Sequence, residues 1–524
     1  MQIMLKSKVI IIMSLVVLLT SSSFFLPAYL VEKLQTAHFN DAQLFFAEKL
    51  SLPKAFEIKQ SQQVVGSRQW LFYTTKLAKF KGQAAFDLAQ FYLPKQPNVR
   101  QENLTKAMIR KGVFWYKQAI RLESEPAKLV LANWYFSQDK LNKANELINS
   151  LLQQTSESAV LKTKILIAKG VDSKSDIKKL TDQLVLLALS EQGKLLINAI
   201  QRYQILPRLM RDNVSTDGKV LPVPLCTASI QFFATSLADL YRSEQLISQF
   251  KVHRLNEFVC FAPVRYRSIK KLKCYSKLGN ARQCDESQWV DIADNIPTRF
   301  VGIMLPHGGA NVHLGMLYID RQDTSAVFAH EISHLLGFID EYPLPINHHK
   351  CQQVQTQAFS ENIAVLKTVY FGKQTEVRAN ILHQLAWAKH IKNTTPILYR
   401  KDVDKDEDKD EDKDKQAWFL GTPKEYNNQV GVFVSESCDN TAQQAFKPVL
   451  FQTQLRYYEK PFPEVYSRII REDGLAFLMP SFHYNLALAL LNHESSSSVK
   501  KWLDKAASFE YKNRRKKQIL TATF

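Results

Sequence analysis

The residues whose types and spacing suggest chemistry lie between Phe328 and Tyr342, where the chain reads F-A-H-E-I-S-H-L-L-G-F-I-D-E-Y. If this stretch begins as an α-helix, His330 and His334 share one face, because residues four apart are neighbours on a helix. Their imidazoles can then bind one ion at about 2 Å, the usual Zn–N distance. Glu331 lies beside them and can take a proton from a water at that ion. The spacing therefore predicts a zinc site that activates water.

The third ligand must come from the residues that follow the helix. Gly337 lies where a left-handed turn would end it, a conformation that glycine adopts without steric cost. That turn would return Asp340, six residues after His334, to the same ion. Two imidazoles and one carboxylate leave zinc an open position for water. Other histidines nearby could replace Asp340 as the third ligand, namely His307, His313, His348 and His349.

The two residues after Asp340 have candidate roles of their own. Glu341 is either a rival third ligand or a carboxylate that orients a ligand imidazole through a hydrogen bond. Tyr342 could stabilise the oxyanion that forms on an attacked carbonyl, although packing explains a tyrosine there equally well.

The pattern H-E-x-x-H-x-x-G-x-x-D resembles that of the metzincin-type zinc peptidases. The D-E-Y ending and the lead-in T-S-A-V-F-A-H-E are most similar to the bacterial IgA-peptidase family. The resemblance extends over residues 226–485 and is strongest at the zinc helix. It implies an α/β domain that holds one Zn²⁺ ion and cleaves internal bonds of a protein or peptide, with Glu331 as the catalytic base.

The resemblance implies two further features near the zinc helix. One is an edge strand that binds the substrate backbone, which we expect to consist of Gly315, Met316, Leu317 and Tyr318. The other is a methionine in a tight turn beneath the metal, for which Met479 is the best candidate. The sequence departs from the family pattern at Gln454, which lies near the position expected for that methionine.

Length and charge limit the possible classes of protein. A chain of 524 residues is too long for one ordinary hydrophobic core, so two or three domains are expected. The formal net charge of +19 points to nucleic acid, an anionic membrane surface or an acidic polymer such as cell-wall material. The sequence carries no recognisable nucleic-acid module, so we do not expect nucleic acid as a partner.

The N-terminal residues predict export. Lys6 and Lys8 precede an uncharged run from Val9 to Val31, which is long enough to span a bilayer and also contains a typical signal-peptide core. Residues 1–31 are thus either a cleaved signal peptide or a signal anchor. Positive residues before the run keep the N-terminus inside and send the remainder out. We expect a periplasmic or extracellular protein, released or held at the inner membrane by residues 9–31.

The cysteines agree with export. An even number of cysteines in an oxidising compartment predicts up to three disulfides, and the sequence alone leaves 15 pairings open. None has C-x-x-C spacing, so a second, cysteine-based metal site is not expected. All six lie in the half of the chain that contains the zinc motif, at Cys226, Cys260, Cys274, Cys284, Cys351 and Cys438.

Helical periodicity predicts a separate domain at residues 32–205. The pattern A-x-x-L-A-x-x-Y at 85–92 recurs in part as V-L-A-x-x-Y at 130–135, and a helix with an alanine, Ala119 or Ala144, follows each copy. This resembles degenerate tetratricopeptide or Sel-like repeats, although an ordinary helical bundle gives similar patterns. Such a domain would hold a protein partner, steer substrate or support the enzyme.

Composition marks the remaining boundaries. Prolines and turn residues at 206–225 predict a linker, and strands and a helix in β-α-β order then open the domain at 226–485. Within it, residues 401–415 alternate lysine with acidic residues, which favours a solvated, disordered loop over a calcium site. Residues 486–524 predict C-terminal helices with a basic tail, in which Arg514 to Lys517 are either solvated or in contact with an anionic surface.

Together these patterns predict a multidomain, exported zinc endopeptidase. An α-helical, repeat-like N-terminal domain would precede an α/β metzincin-like zinc peptidase domain. Two alternatives remain at this stage. The chain could be a catalytically inactive periplasmic scaffold whose helical repeats bind a partner, or a zinc amidase that acts on peptidoglycan peptides.

Overall fold

A computed structural model describes residues 25–94, 105–206, 226, 228–275, 283–400, 417–473, 476–491 and 496–523. The predicted loop at 401–415 and most of the predicted export segment and linker lie outside these residues. Among the helices that are described, none is long and apolar enough to cross a bilayer. The chain forms two compact units, one of Met1–Ile165 with Gln183–Lys194 and the other of Leu166–Asp182 with Leu195–Phe524.

The first unit is built from helices joined by short loops. After a helical stretch at 25–35, the helices are α1 (Asp41–Lys49), α2 (Pro53–Ser61), α3 (Arg68–Leu77), α4 (Gly82–Tyr92), α5 (Lys106–Arg121), α6 (Glu125–Ser137) and α7 (Leu141–Asn149). Each packs against the next along the chain. Three more helices complete the predicted N-terminal helical region, namely α8 (Ser156–Lys169), α9 (Lys174–Leu187) and α10 (Glu191–Arg202).

Small buried residues explain how these helices approach one another. The alanines of the predicted repeat pattern, including Ala85, Ala119 and Ala144, are fully buried. Tyr116 fills the space between α4 and α5, and its hydroxyl donates to the carbonyl oxygen of Leu93 at 2.9 Å. The pattern therefore marks the contact faces of real helical pairs.

The second unit is organised around a five-stranded sheet. Its strands are β1 (Ala228–Ala234), β2 (Val259–Tyr266), β5 (Phe300–Leu305), β6 (Asn311–His313) and β7 (Met316–Asp320), in the order β2-β1-β5-β7-β6. Strand β6 runs antiparallel to β7, whereas β1 is parallel to β2 and β5, and β5 is parallel to β7. Helix α11 (Leu237–Phe250) connects β1 to β2, and β3 (Cys274–Tyr275) pairs with β4 (Gln283–Cys284). The α/β organisation predicted for this half is confirmed.

The strand at the edge of this sheet differs from the one predicted from the sequence. Strand β7 is hydrogen-bonded to β5 on one side and to β6 on the other. The prediction that Gly315, Met316, Leu317 and Tyr318 form the edge strand is therefore wrong, and β6 holds that position. Leu314 and Gly315, with φ of 41° and 83°, turn the chain between β6 and β7. Leucine rarely adopts positive φ, so this hairpin has no clear sequence signal.

Helix α12 (Ser325–Leu335) follows β7 and leads into two small antiparallel sheets. One has the order β10-β11-β9 and the other β12-β13-β8. Their strands are β8 (Ala364–Leu366), β9 (Val369–Phe371), β10 (Leu398–Tyr399), β11 (Ala417–Leu420), β12 (Phe433–Ser435) and β13 (Gln444–Lys447), with α13 (Gln374–Leu382) after β9.

The C-terminal helices are part of the second unit. They are α14 (Glu464–Asp473), α15 (Phe482–Leu490), α16 (Ser496–Ser508) and α17 (Asn513–Leu520). Phe482 and Trp502 pack in one core with Ile303 and Tyr318 of the large sheet. The residues predicted as a separate C-terminal segment, 486–524, thus complete the core of the α/β unit.

Arg515 of the predicted basic tail is buried. Its guanidinium donates to Glu510 at 2.6 Å, and Glu510 also accepts from the buried Arg299. Arg299 in turn donates to the carbonyl oxygen of Met479. The interpretation of Arg515 as solvated or surface-binding is wrong, because this side chain links the C-terminus to the chain beside α12.

Three disulfides join the six cysteines, Cys226 to Cys260, Cys274 to Cys284 and Cys351 to Cys438. This confirms the predicted number and selects one of the open pairings. Disulfides persist in oxidising compartments, so they favour an exported protein.

Candidate metal centre

Helix α12 positions the first part of the site. The Thr324 side chain caps it by accepting from the backbone N–H of Val327 at 3.3 Å. After the helix ends, Gly337 has φ of 97°. A Cβ at this position would lie 2.4 Å from the carbonyl oxygen of Phe477. Both the backbone conformation and the available space therefore require glycine, as the sequence predicts.

Three side-chain atoms converge beyond this turn. The Nε2 atoms of His330 and His334 are 3.1 Å apart. Oδ1 of Asp340 lies 3.0 Å from Nε2 of His330 and 3.3 Å from Nε2 of His334. Ligands held at about 2.1 Å by a tetrahedral ion lie roughly 3.4 Å apart. The structure thus brings the three predicted ligands to nearly the separations that one ion requires.

Hydrogen bonds fix which nitrogen of each ring faces the site. Nδ1 of His330 lies 3.0 Å from the carbonyl oxygen of Gln454, and Nδ1 of His334 lies 3.0 Å from that of Phe338. A carbonyl only accepts, so in the neutral rings Nδ1 carries the hydrogen and Nε2 the lone pair. Two lone pairs then face a buried carboxylate oxygen of Asp340 that has no donor among the described residues. This donor set fits a divalent cation.

The same contacts bind a proton when no cation is present. Burial lowers the pKa of His334, but the carboxylate of Asp340 outweighs burial and raises that pKa to about 10. Burial raises the pKa of Asp340, and the two imidazoles outweigh it and hold that pKa well below its usual range. Protons therefore compete with a metal ion for this site.

Glu331 lies next to the ligands and is only 7% exposed. Burial raises the pKa of its carboxyl, while the imidazoles of His334 and His330 oppose that rise. A carboxylate with a raised pKa is suited to take up a proton and return it near neutral pH. The role of catalytic base that the sequence suggests for Glu331 stays a prediction.

Two tyrosines flank His330. The ring of Tyr458 contacts it edge to face, with centroids 4.8 Å apart, and the ring of Tyr342 lies nearly parallel to it at 6.4 Å. Burial, together with the nearby carboxylates, raises the pKa of both phenols, so both remain hydrogen-bond donors. Sequence reasoning identified Tyr342 and missed Tyr458, which lies far along the chain and belongs to no motif.

Glu341 has a role that the sequence did not indicate. Its Oε2 accepts from Nζ of Lys447 at 2.7 Å, and its Oε1 accepts from the hydroxyl of Tyr466 at 2.5 Å. All three residues are buried. The converging metal-binding atoms do not include Glu341, and the Nδ1 atoms of both imidazoles bond to backbone carbonyls, so the interpretations of Glu341 as a third ligand or as a partner of a ligand imidazole are wrong.

Several segments hold the backbone that carries Asp340. Its carbonyl oxygen accepts from the hydroxyl of Ser437 at 2.7 Å. The next residue, Glu341, donates its N–H to the carbonyl oxygen of Leu455 at 3.0 Å. On the other side, the side-chain amide of Asn362 bonds to both the N–H and the C=O of Ile339. The position of the third ligand is thus fixed from three directions.

The chain beneath His330 contains Gln454. Besides its carbonyl contact with His330, its side chain donates to the carbonyl oxygen of Ala326 at 3.0 Å and lies 2.9 Å from Nε2 of His253. Met479, by contrast, donates its N–H to the carbonyl oxygen of Leu335 at the end of α12. Gln454 therefore supplies the backbone carbonyl that bonds to the His330 ring, near the position where a methionine was expected.

The alternative third ligands do not take part. In the described part of the chain, the group of converging metal-binding atoms comes from His330, His334 and Asp340. His348 and His349 stack on each other at 4.9 Å instead. Asp340 therefore takes the place for which His307, His313, His348 and His349 were considered.

The chain matches no known family, no curated protein and no solved structure. Conclusions about its function therefore rest on the geometry of this site.

Proposed function

We propose that this protein is an exported zinc endopeptidase of the metzincin type, in which Glu331 is the general base. The observation that carries the proposal is the convergence of His330 Nε2, His334 Nε2 and Asp340 Oδ1 within 3.0 to 3.3 Å, with Glu331 on the same helix. Helix, glycine turn and aspartate follow the order of the H-E-x-x-H-x-x-G-x-x-D pattern. The three disulfides support export.

The donor set supports zinc as the ion. Two imidazole nitrogens and one carboxylate oxygen are typical ligands of catalytic Zn²⁺ sites, which keep a further position for water or substrate. When bound, Zn²⁺ supplies Lewis-acid chemistry, because it lowers the pKa of a water molecule and polarises a carbonyl group.

The protein's own groups move the proton and stabilise charge. Glu331 accepts a proton from the attacking water and later donates it to the leaving amine, a transfer that its buried position favours. Tyr458 and Tyr342 beside His330 offer hydroxyl donors to the oxygen of the attacked carbonyl. The edge strand β6 offers backbone N–H and C=O groups to an extended peptide. The helical unit holds a protein substrate or partner.

Replacing Glu331 with glutamine tests the proposal. We expect the full chain with Glu331→Gln to retain its zinc, because the three ligands are unchanged, and to lose cleavage of an unfolded protein by about 10²- to 10⁴-fold. Zinc content is measured by mass spectrometry and cleavage by the release of new amino groups. Undiminished cleavage by this variant would contradict the role of Glu331.

Two comparisons separate the alternative functions. His334→Ala should lose both zinc and cleavage, whereas Lys373→Gln, a change at an exposed lysine, should affect neither. A wild-type protein that binds zinc and cleaves no unfolded protein would support the inactive scaffold. Release of amino groups from purified cell wall, but not from protein, would support the amidase.

A further inference from the structure

The turn that contains Gln454 lies between β13 and α14 and belongs to neither a helix nor a strand. It nevertheless contacts the metal centre at several points. The carbonyl oxygen of Gln454 bonds to Nδ1 of His330 at 3.0 Å, and the ring of Tyr458 lies edge to face against the same imidazole. The carbonyl oxygen of Leu455 accepts from the N–H of Glu341, next to the third ligand. Contacts that fix this turn therefore also fix the metal-binding groups.

The side chain of Gln454 anchors the turn at two points. Gln454 is only 3% exposed, and its side-chain N–H donates to the carbonyl oxygen of Ala326 at 3.0 Å. Since Ala326 lies on α12 one turn before His330, this bond ties the turn to the helix that carries the ligand. The other polar atom of the amide, Oε1, lies 2.9 Å from Nε2 of His253. The backbone N–H of Gln454 adds only a long contact, 3.4 Å from the carbonyl oxygen of Pro461.

His253 supplies the hydrogen in the second of these anchors. Its Nδ1 accepts from the backbone N–H of Leu255 at 3.2 Å, so in the neutral ring the hydrogen is on Nε2, which donates to Gln454. Burial lowers the pKa of His253, which keeps the ring neutral near pH 7. The ring stacks on Phe250 at the end of α11, with centroids 5.4 Å apart, and contacts Phe462 at 5.8 Å. Hydrogen bonding and packing thus determine where this donor points.

We propose that His253 is a positioning residue for the metal ligand His330 and acts through the side chain of Gln454. The bond from His253 holds the turn whose carbonyl orients the His330 ring, so it sets the direction in which Nε2 of His330 meets an ion. Without this donor, Oε1 of Gln454 would be a buried acceptor, which is unfavourable unless the turn moves. This role rests on the metal centre of the proposed function, but not on peptide cleavage.

Variants of His253 in the full chain test the inference. His253→Phe keeps a ring between Phe250 and Phe462 but removes the donor, whereas His253→Gln keeps an N–H near the position of Nε2. Competition with a chromophoric chelator gives the zinc affinity, and the visible absorption of bound Co²⁺ reports the geometry of its ligands. We expect His253→Phe to bind zinc about 10-fold more weakly and to shift the Co²⁺ absorption. His253→Gln should recover most of both properties.

A double-mutant cycle tests whether His253 acts through Gln454. Gln454→Leu removes both side-chain anchors of the turn and should weaken zinc binding by about 10- to 100-fold. Adding His253→Phe should then weaken binding no further, because the donor has already lost its acceptor. A double variant whose zinc affinity falls by the product of the two single effects would overturn the inference.

Tyr266→Phe is a matched control for a general loss of stability. Tyr266 is partly buried in the second unit, as His253 is. Its hydroxyl donates to the carbonyl oxygen of Ile167 and accepts from the N–H of Val171, each at 2.9 Å. Because these partners lie outside the metal centre, Tyr266→Phe should leave the zinc affinity and the Co²⁺ absorption unchanged. Circular dichroism establishes that each variant is folded.

The possible outcomes separate this inference from the proposed function. Weaker zinc binding by His253→Phe supports the inference even if the wild-type chain cleaves no peptide, a result that contradicts only the proposed function. Unchanged zinc affinity and Co²⁺ absorption in His253→Phe would overturn the inference even if the wild-type chain is an active peptidase. A wild-type chain that binds neither zinc nor cobalt would overturn both.

Discussion

Replacing Lys447 with methionine tests how the third ligand is held. Nζ of Lys447 lies 2.7 Å from Oε2 of Glu341, and the two side chains are 7% and 0% exposed. Methionine nearly retains the length of lysine but removes its charge, so Glu341 keeps a buried carboxylate without its cation. Since Glu341 directly follows Asp340, a movement of the Glu341 carboxylate toward water would also displace the metal-binding side chain of Asp340.

The expected cost follows from the burial of the pair. Removing one partner of a buried ion pair costs about 3–5 kcal/mol, because the remaining charge stays desolvated. Removing both charges is often nearly neutral. The double variant Glu341→Gln with Lys447→Met also keeps an acceptor for the hydroxyl of Tyr466, so it should recover most of the lost stability. The exposed pair of Lys373 and Glu376, 3.8 Å apart, gives a control, since Lys373→Met should cost less than about 1 kcal/mol.

Two measurements check this expectation. Urea unfolding of the metal-free protein gives the free energy of unfolding of the second unit, and competition with a chromophoric chelator gives the zinc affinity. Lys447→Met should lower both the free energy of unfolding and the zinc affinity, and the double variant should restore the free energy of unfolding. The reasoning is refuted if Lys447→Met is no more harmful than Lys373→Met, or if the double variant is as unstable as the single one.

Three further changes have defined outcomes. Gly337→Ala should cost more than about 2 kcal/mol of stability and weaken zinc binding, because it combines positive φ with a backbone clash; an unchanged zinc affinity would contradict this. Cys351→Ala with Cys438→Ala opens a sequence separation of 87 residues and should cost about 4–5 kcal/mol in urea unfolding, more than loss of the 10-residue link between Cys274 and Cys284. Burial lowers the pKa of His483 in the folded protein to about 3, whereas its pKa in the unfolded chain is about 6.5. Below pH 6.5 the unfolded chain therefore binds a proton that the folded protein does not bind. Stability should then fall by about 2 kcal/mol from pH 7 to pH 5, and His483→Gln should remove that part of the loss.

Local geometry explains which parts of the site the sequence could predict. The spacing of His330 and His334 fixes their direction once the segment is helical, and Gly337 fixes where the helix ends. Asp340 follows at a distance that one turn can bridge. Each of these relations spans only a few residues, so hydrogen bonding and steric exclusion within one short segment decide the outcome.

Long-range packing explains what the sequence could not predict. Tyr458, Lys447 and Ser437 reach the site from segments that no periodicity connects to helix α12. The sequence shows that Glu341 is acidic, but it does not show that the buried ammonium of Lys447 forms an ion pair with it. The edge strand was misplaced for a different reason, since the hairpin depends on Leu314 in a conformation that leucine rarely adopts.

The difference between local and long-range restraints also bears on the order in which the site forms during folding. Ser437 binds the carbonyl oxygen of Asp340 through its hydroxyl and the N–H of Leu344 through its own carbonyl. The next residue, Cys438, is bonded to Cys351, so the disulfide closes the segment that begins at the third ligand. Before this bond forms, Asp340 and its neighbours are restrained by noncovalent contacts with distant segments, whereas α12 itself carries both histidines. Metal affinity should therefore be higher in the oxidised protein than in the reduced protein, so the site would reach its full affinity in an oxidising compartment.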